Sequence, residues 1–224
     1  MIRPGRDAAG WLLVRGGGLL LVAATFVEIA AGMASRDNTA VQELSGVPIF
    51  TVILASYVFG FLAVTARRSP ATGRVLAIGA GTGAAAAALW LASVLASPPI
   101  PRSTGATLAL LAAAMIVAAC ATSGRRGSAR LSALAALCTG TVATLLIFVL
   151  LHGLASYGPA GLIPDDSAAF TPTERLAQSR LEIVDPYIGV LFIGCFLAVL
   201  LGIVSTTAKR PAPTELDHAT ATAR

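Results

Sequence analysis

Five times along its 224 residues the chain runs nineteen or more positions without one Asp, Glu, Lys or Arg: Pro48 to Ala66, Val75 to Ala96, Thr104 to Thr122, Leu131 to Ala155 and Pro186 to Ala208. A helix rises about 1.5 Å per residue, so about 20 residues cross a hydrocarbon core roughly 30 Å thick. Lipid offers no hydrogen bonds to a bare backbone, and a helix satisfies its own N–H and C=O groups within one segment. A sixth run, Trp11 to Ala34, is apolar apart from Arg15 and Glu28. Only 12% of the chain is charged, against about 25% in a soluble domain, so a water-soluble fold would expose large apolar patches.

The expected fold class is therefore all-α integral membrane, a six-transmembrane-helix bundle with an external amphipathic helix between spans five and six. The spans are placed at 11–34, 48–66, 75–96, 104–122, 131–155 and 186–208, with a leader at 1–10 and a disordered tail at 209–224. Arg3, Arg6 and the small residues Gly32-Met33-Ala34 also fit a signal peptide, but a glutamate inside the apolar run and the length of that run favour a span.

Charge sets the expected orientation. Twelve Lys and Arg fall on one side: Arg3, Arg6 and Arg15; Arg67, Arg68 and Arg74; Arg125, Arg126 and Arg130; Lys209, Arg210 and Arg224. Four, Arg36, Arg102, Arg175 and Arg180, fall on the other. By the positive-inside rule both termini are expected in the cytoplasm and the segment Ser156 to Pro186 outside, in a plasma (inner) membrane. The same clustering argues against nucleic acid as a partner, because the basic residues form no continuous stripe. Cys120, Cys138 and Cys195 lie in apolar runs without Cys-x-x-Cys spacing, so no disulfide framework, metal site or cofactor is expected.

The long polar interruption carries its own start signals. Thr171-Pro172-Thr173-Glu174 reads as a capping box with proline at the first helical position. A short amphipathic helix over about 172–184 follows, with Ala177, Leu181 and Val184 on its apolar stripe, Leu176 and Ile183 beside them, and Arg175, Gln178, Ser179, Arg180 and Glu182 on the other side. Asp185-Pro186 then starts the last span after a sharp bend. Leu176, Arg180, Leu181 and Val184 are the candidate external contacts, with a membrane or extracytoplasmic protein as the candidate partner besides the lipid bilayer.

Inside the spans few groups can do chemistry. Glu28 lies about 9 Å inside the end of the first span, where an ionisable residue is costly and generally faces protein. His152 stands near the same level on span five, and the two are candidates for a proton or cation site. Two ligands are too few for a metal centre. Gly79-Ala80-Gly81-Thr82-Gly83-Ala84 sits within a span, so Gly79 with Gly83 and Ala84 with Ala88 read as helix-packing positions rather than a nucleotide loop. Thr139, Thr141 and Thr144 offer a polar path or bond to their own helix.

The functional expectation is a polytopic component of a transport system or membrane complex, without catalysis of its own. The alternatives are a membrane enzyme or proton or metal site around Glu28 and His152, and an anchor docking a partner through the 172–184 helix. In outline alone, six spans with both ends inside and an external helix before the last resemble the permease subunit of an export ABC transporter, which implies transport.

Overall fold

The computed structural model describes residues 4–34, 40–96, 103–123, 129–163 and 171–207; within these, the side chains of residues 4–8, 32–34, 40–47 and 181 are outside the described set. The expected tail at 209–224, the basic residues Arg125, Arg126, Lys209 and Arg210, and the acidic pair Asp165 and Asp166 all lie outside the described residues. Seven α-helices are present among the described residues: α1 Pro4–Ala34, α2 Ala40–Val64, α3 Gly73–Ala96, α4 Thr104–Ser123, α5 Ala129–Tyr157, α6 Pro172–Glu182 and α7 Asp185–Thr207. A short 3-10 turn at Ala160–Leu162 follows α5, and no strand occurs among the described residues.

Helices α1, α3, α4, α5 and the run ending in α7 are each long and apolar enough to cross a membrane, and α2 adds a shorter apolar part at Pro48–Val64. Exposure identifies the solvent. Leu20, Phe26, Val52, Leu89, Ile116 and Phe196 are each 60% or more exposed, a surface that lipid tolerates and water does not. The protein is an all-α membrane bundle.

Helix α5 is its axis. It packs against α1, α3, α4 and α7, while α1 also meets α2 and α3, α3 meets α4, and α2 meets α7. No large apolar side chain of α5 is exposed before Tyr157 at its end. Its neighbours each bury one stripe within the bundle and turn the rest to lipid. In α1 that stripe is Val14, Gly18, Val22, Thr25 and Ile29, the three-and-four spacing that keeps one face of a helix inward.

The first span reaches back through most of the expected leader, since α1 begins at Pro4. The second is also longer than expected. Pro48 suits a helix start, yet α2 begins at Ala40 and carries Pro48 inside. A proline within a span is tolerated when neighbouring helices and local adjustments satisfy the carbonyl it leaves.

Candidate functional site

The α6 end of the bundle is built by its caps. Pro172 opens α6, and the Glu174 N–H donates to Thr171 Oγ1 at 3.3 Å. The Glu174 carboxylate accepts from the Thr171 hydroxyl, closing the capping box through the side chain rather than the N-cap amide. Asp185 opens α7 directly after α6 ends at Glu182.

The inward face of α6 is not the expected one. Ala177 is exposed, whereas Ser179 and Ile183 are only 1% and 2% exposed, so the buried stripe runs Leu176, Ser179, Ile183 and on to Tyr187. The side chain of Leu181 lies outside the described residues. Leu176 and Val184 pack on the apolar cluster that holds Trp90, Leu151, Ile163 and Tyr187. Arg180, assigned by sequence to the polar side, is half-buried and donates to the carbonyls of Ala155 and Gly158. The reason is the end of α5: its last carbonyls lack helical partners, and a guanidinium satisfies two at once, a stronger claim on α6 than one more methyl group.

Glu28 stands on the flank of the inward stripe of α1, beside Ile29 and one turn from Thr25. Its Oε2 is buried with no hydrogen-bond partner among the described residues. His152 takes a separate path: its Nδ1 is 3.3 Å from Ser156 Oγ, and its ring meets Phe148 edge-on at 6.1 Å. Hydrogen bonding thus ties His152 to its own helix and does not join it to Glu28. Among the described residues no group of three His, Cys, Asp or Glu stands together as a metal site.

The three threonines of α5 are spent on backbone. Thr139 Oγ1 donates to Ala135 O, Thr141 to Leu137 O and Thr144 to Gly140 O, at 2.8 to 2.9 Å. Thr139 also lies 3.0 Å from the Gly79 carbonyl, linking α5 to α3.

A polar node that sequence reasoning missed lies at the contact of α2, α5 and α7. Tyr57, fully buried, donates to the Leu191 carbonyl at 3.1 Å and lies 3.2 Å from Thr144 Oγ1. Gly194 makes the room, because a Cβ there would collide with both hydroxyls. A tyrosine in mid-span, whose hydroxyl must find a partner, and a glycine in another span were the available signals.

The seam between α3 and α5 is a close backbone contact. A Cβ on Gly79 would come 2.9 Å from Ala135 O, and one on Gly83 2.7 Å from Thr139 O. Ala84 and Ala88 lie exposed, off that seam. The buried positions after Gly83 are Ala86, Ala87, Trp90 and Val94; Ala84 and Ala88 sit about 100° further round the helix.

Away from the seam, α3 and α1 enclose a cleft of about 830 Å3, with Val142 and Leu146 of α5 among its lining residues. No protein-family model matches the chain, and neither the curated proteins nor the solved structures compared with it yield a match.

Proposed function

We propose that the protein is a non-catalytic transport component of the plasma membrane, with both termini cytoplasmic, and that Glu28 is the group through which it handles a proton or cation. The observation that carries this reading is the Glu28 carboxylate itself, with Oε2 buried inside a span and no hydrogen-bond partner among the described residues. A carboxyl held at that depth for structure alone would be expected to meet a donor, because an unsatisfied buried polar group costs about 1–3 kcal/mol. One that exchanges a proton or cation gains from lacking a fixed partner. The count of twelve basic residues against four supports the orientation.

The test is proton flux. The full chain is reconstituted in vesicles loaded with a pH-sensitive dye, and a potassium diffusion potential is imposed with valinomycin. Acidification above that of empty vesicles is expected for the wild type and its loss for Glu28→Gln. Equal rates in empty and loaded vesicles, or an undiminished Glu28→Gln, would overturn the assignment.

A further inference from the structure

The cleft between α1 and α3 has a definite shape and, among the described residues, one charged lining residue. At the basic end the two backbones touch, since a Cβ on Gly10 would overlap the Gly73 carbonyl. Above that contact the helices leave space between them, lined by Gly17 and Leu21 of α1, by Gly81 and Ala84 of α3, and by Val142 and Leu146 of α5. From Gly10 to Leu21 and from Gly73 to Ala84, eleven steps of helical rise give a height of about 16 Å. Half of a hydrocarbon core roughly 30 Å thick is about 15 Å. The cleft therefore matches the depth of one leaflet, the leaflet at the basic end.

Arg74 lines the cleft beside Gly73, at its polar end. Its side chain is exposed, and no carboxylate among the described residues pairs with it. An apolar slot one acyl chain deep with an exposed guanidinium at its mouth is complementary to a lipid carrying an anionic phosphate. Arginine suits that group because its planar fork matches phosphate oxygens two at a time. The small lining residues supply room rather than a packed surface: nothing lies within 4 Å of a Cβ built on Gly17 or Gly81.

We propose that this cleft binds an anionic phospholipid of the basic-end leaflet, its acyl chain lying between α1 and α3 against Val142 and Leu146 and its phosphate on Arg74. The site is independent of Glu28, which lies near the other end of α1, so either assignment stands without the other.

Lipid labelling tests it. The full chain is placed in vesicles containing a trace of phosphatidylglycerol or of phosphatidylcholine, each with a photoactivatable diazirine on its acyl chain, and adducts are mapped by mass spectrometry. Adducts on α1, α3 and α5 around Gly17, Ala84 and Leu146 are expected, at least fivefold more from phosphatidylglycerol. Arg74→Glu should lower the phosphatidylglycerol yield to the phosphatidylcholine level. Gly17→Phe with Gly81→Phe, which project into open space, should remove the adducts of both lipids while the protein keeps its gel-filtration profile. Equal labelling by the two lipids in the wild type, adducts spread around the lipid-facing surface, or an unchanged yield in Arg74→Glu would overturn the proposal. So would efficient disulfide formation between two copies of Gly17→Cys, which would make a second copy of the chain the occupant.

Discussion

Arg180 on α6 donates through Nη2 to the carbonyl of Gly158, 2.7 Å away just past the end of α5, while Nη1 reaches Ala155. A cation at a helix C-terminus also faces the negative end of the helix dipole. The pair of bonds fastens the surface helix to the axial helix. Arg180→Ala should loosen α6 by about 1.5 kcal/mol, the low end for charge-assisted bonds because the residue is partly exposed. The expected readout is about tenfold faster amide exchange over 172–182 with unchanged exchange in the middle of α5. Arg180→Lys should recover little, since an ammonium does not present the planar fork. Equal exchange in the three proteins would dismiss the clamp.

Tyr57, Thr144 and Gly194 make a second joint, between α2, α5 and α7. Tyr57→Phe removes the donor to Leu191, yet Thr144 keeps its bond to Gly140, so the cost should be modest, about 0.5–1.5 kcal/mol. Gly194→Ala forces a methyl group onto both hydroxyls and should cost more, about 1–3 kcal/mol, as overpacking does. Unfolding in mixed detergent with increasing dodecyl sulfate would rank them. A Gly194→Ala protein as stable as wild type would show that the joint is looser than its geometry.

The α3 and α5 seam separates two kinds of small residue. Gly83→Ala meets the Thr139 carbonyl at 2.7 Å and should destabilise by about 1–3 kcal/mol. Ala88→Leu faces outward and should stay within about 0.5 kcal/mol of wild type, as surface changes do. The same unfolding assay decides, and an equal loss in both variants would contradict the seam.

That contrast shows where sequence reading stops. Small residues within a span announce a close helix contact, but Gly83 and Ala84 are neighbours in the chain and look equally suitable. Which one meets α5 depends on how α3 is rotated, a quantity fixed by packing with other helices. The same limit applies to Glu28 and His152, whose hydrogen-bond surroundings the sequence did not show. Local signals fared differently. Thr171, Pro172 and Asp185 act within a turn of themselves, so they marked the starts of α6 and α7, while the inward face of α6 was decided by the distant carbonyls of Ala155 and Gly158. The span pattern was legible because absence of charge is a property of each segment alone.

Orientation is open to direct measurement. Arg68 lies exposed in the turn between α2 and α3, and Tyr157 is 91% exposed at the end of α5. In a background with Cys120, Cys138 and Cys195 replaced by alanine, Tyr157→Cys in intact cells should react with an impermeant maleimide, and Arg68→Cys only after lysis. The opposite pattern would invert the bundle in its membrane.

Glu28 offers a last prediction in which stability and function part company. Its buried Oε2 has no hydrogen-bond partner among the described residues, so the folded protein bears a desolvation cost of about 1–3 kcal/mol that no bond to a described residue offsets. Glu28→Leu removes that cost and adds apolar contact beside Ile29, which is buried in the core. The variant should therefore resist dodecyl sulfate better than wild type, by about 1 kcal/mol, the low end because Glu28 is only half-buried. Glu28→Gln keeps the shape and retains an unsatisfied polar group, and it should lie between the two. If the carboxylate served the fold, both changes would weaken the protein, because its partner would be left unpaired. A more stable Glu28→Leu that has also lost proton flux would place the carboxylate with function, at the expense of the fold that holds it.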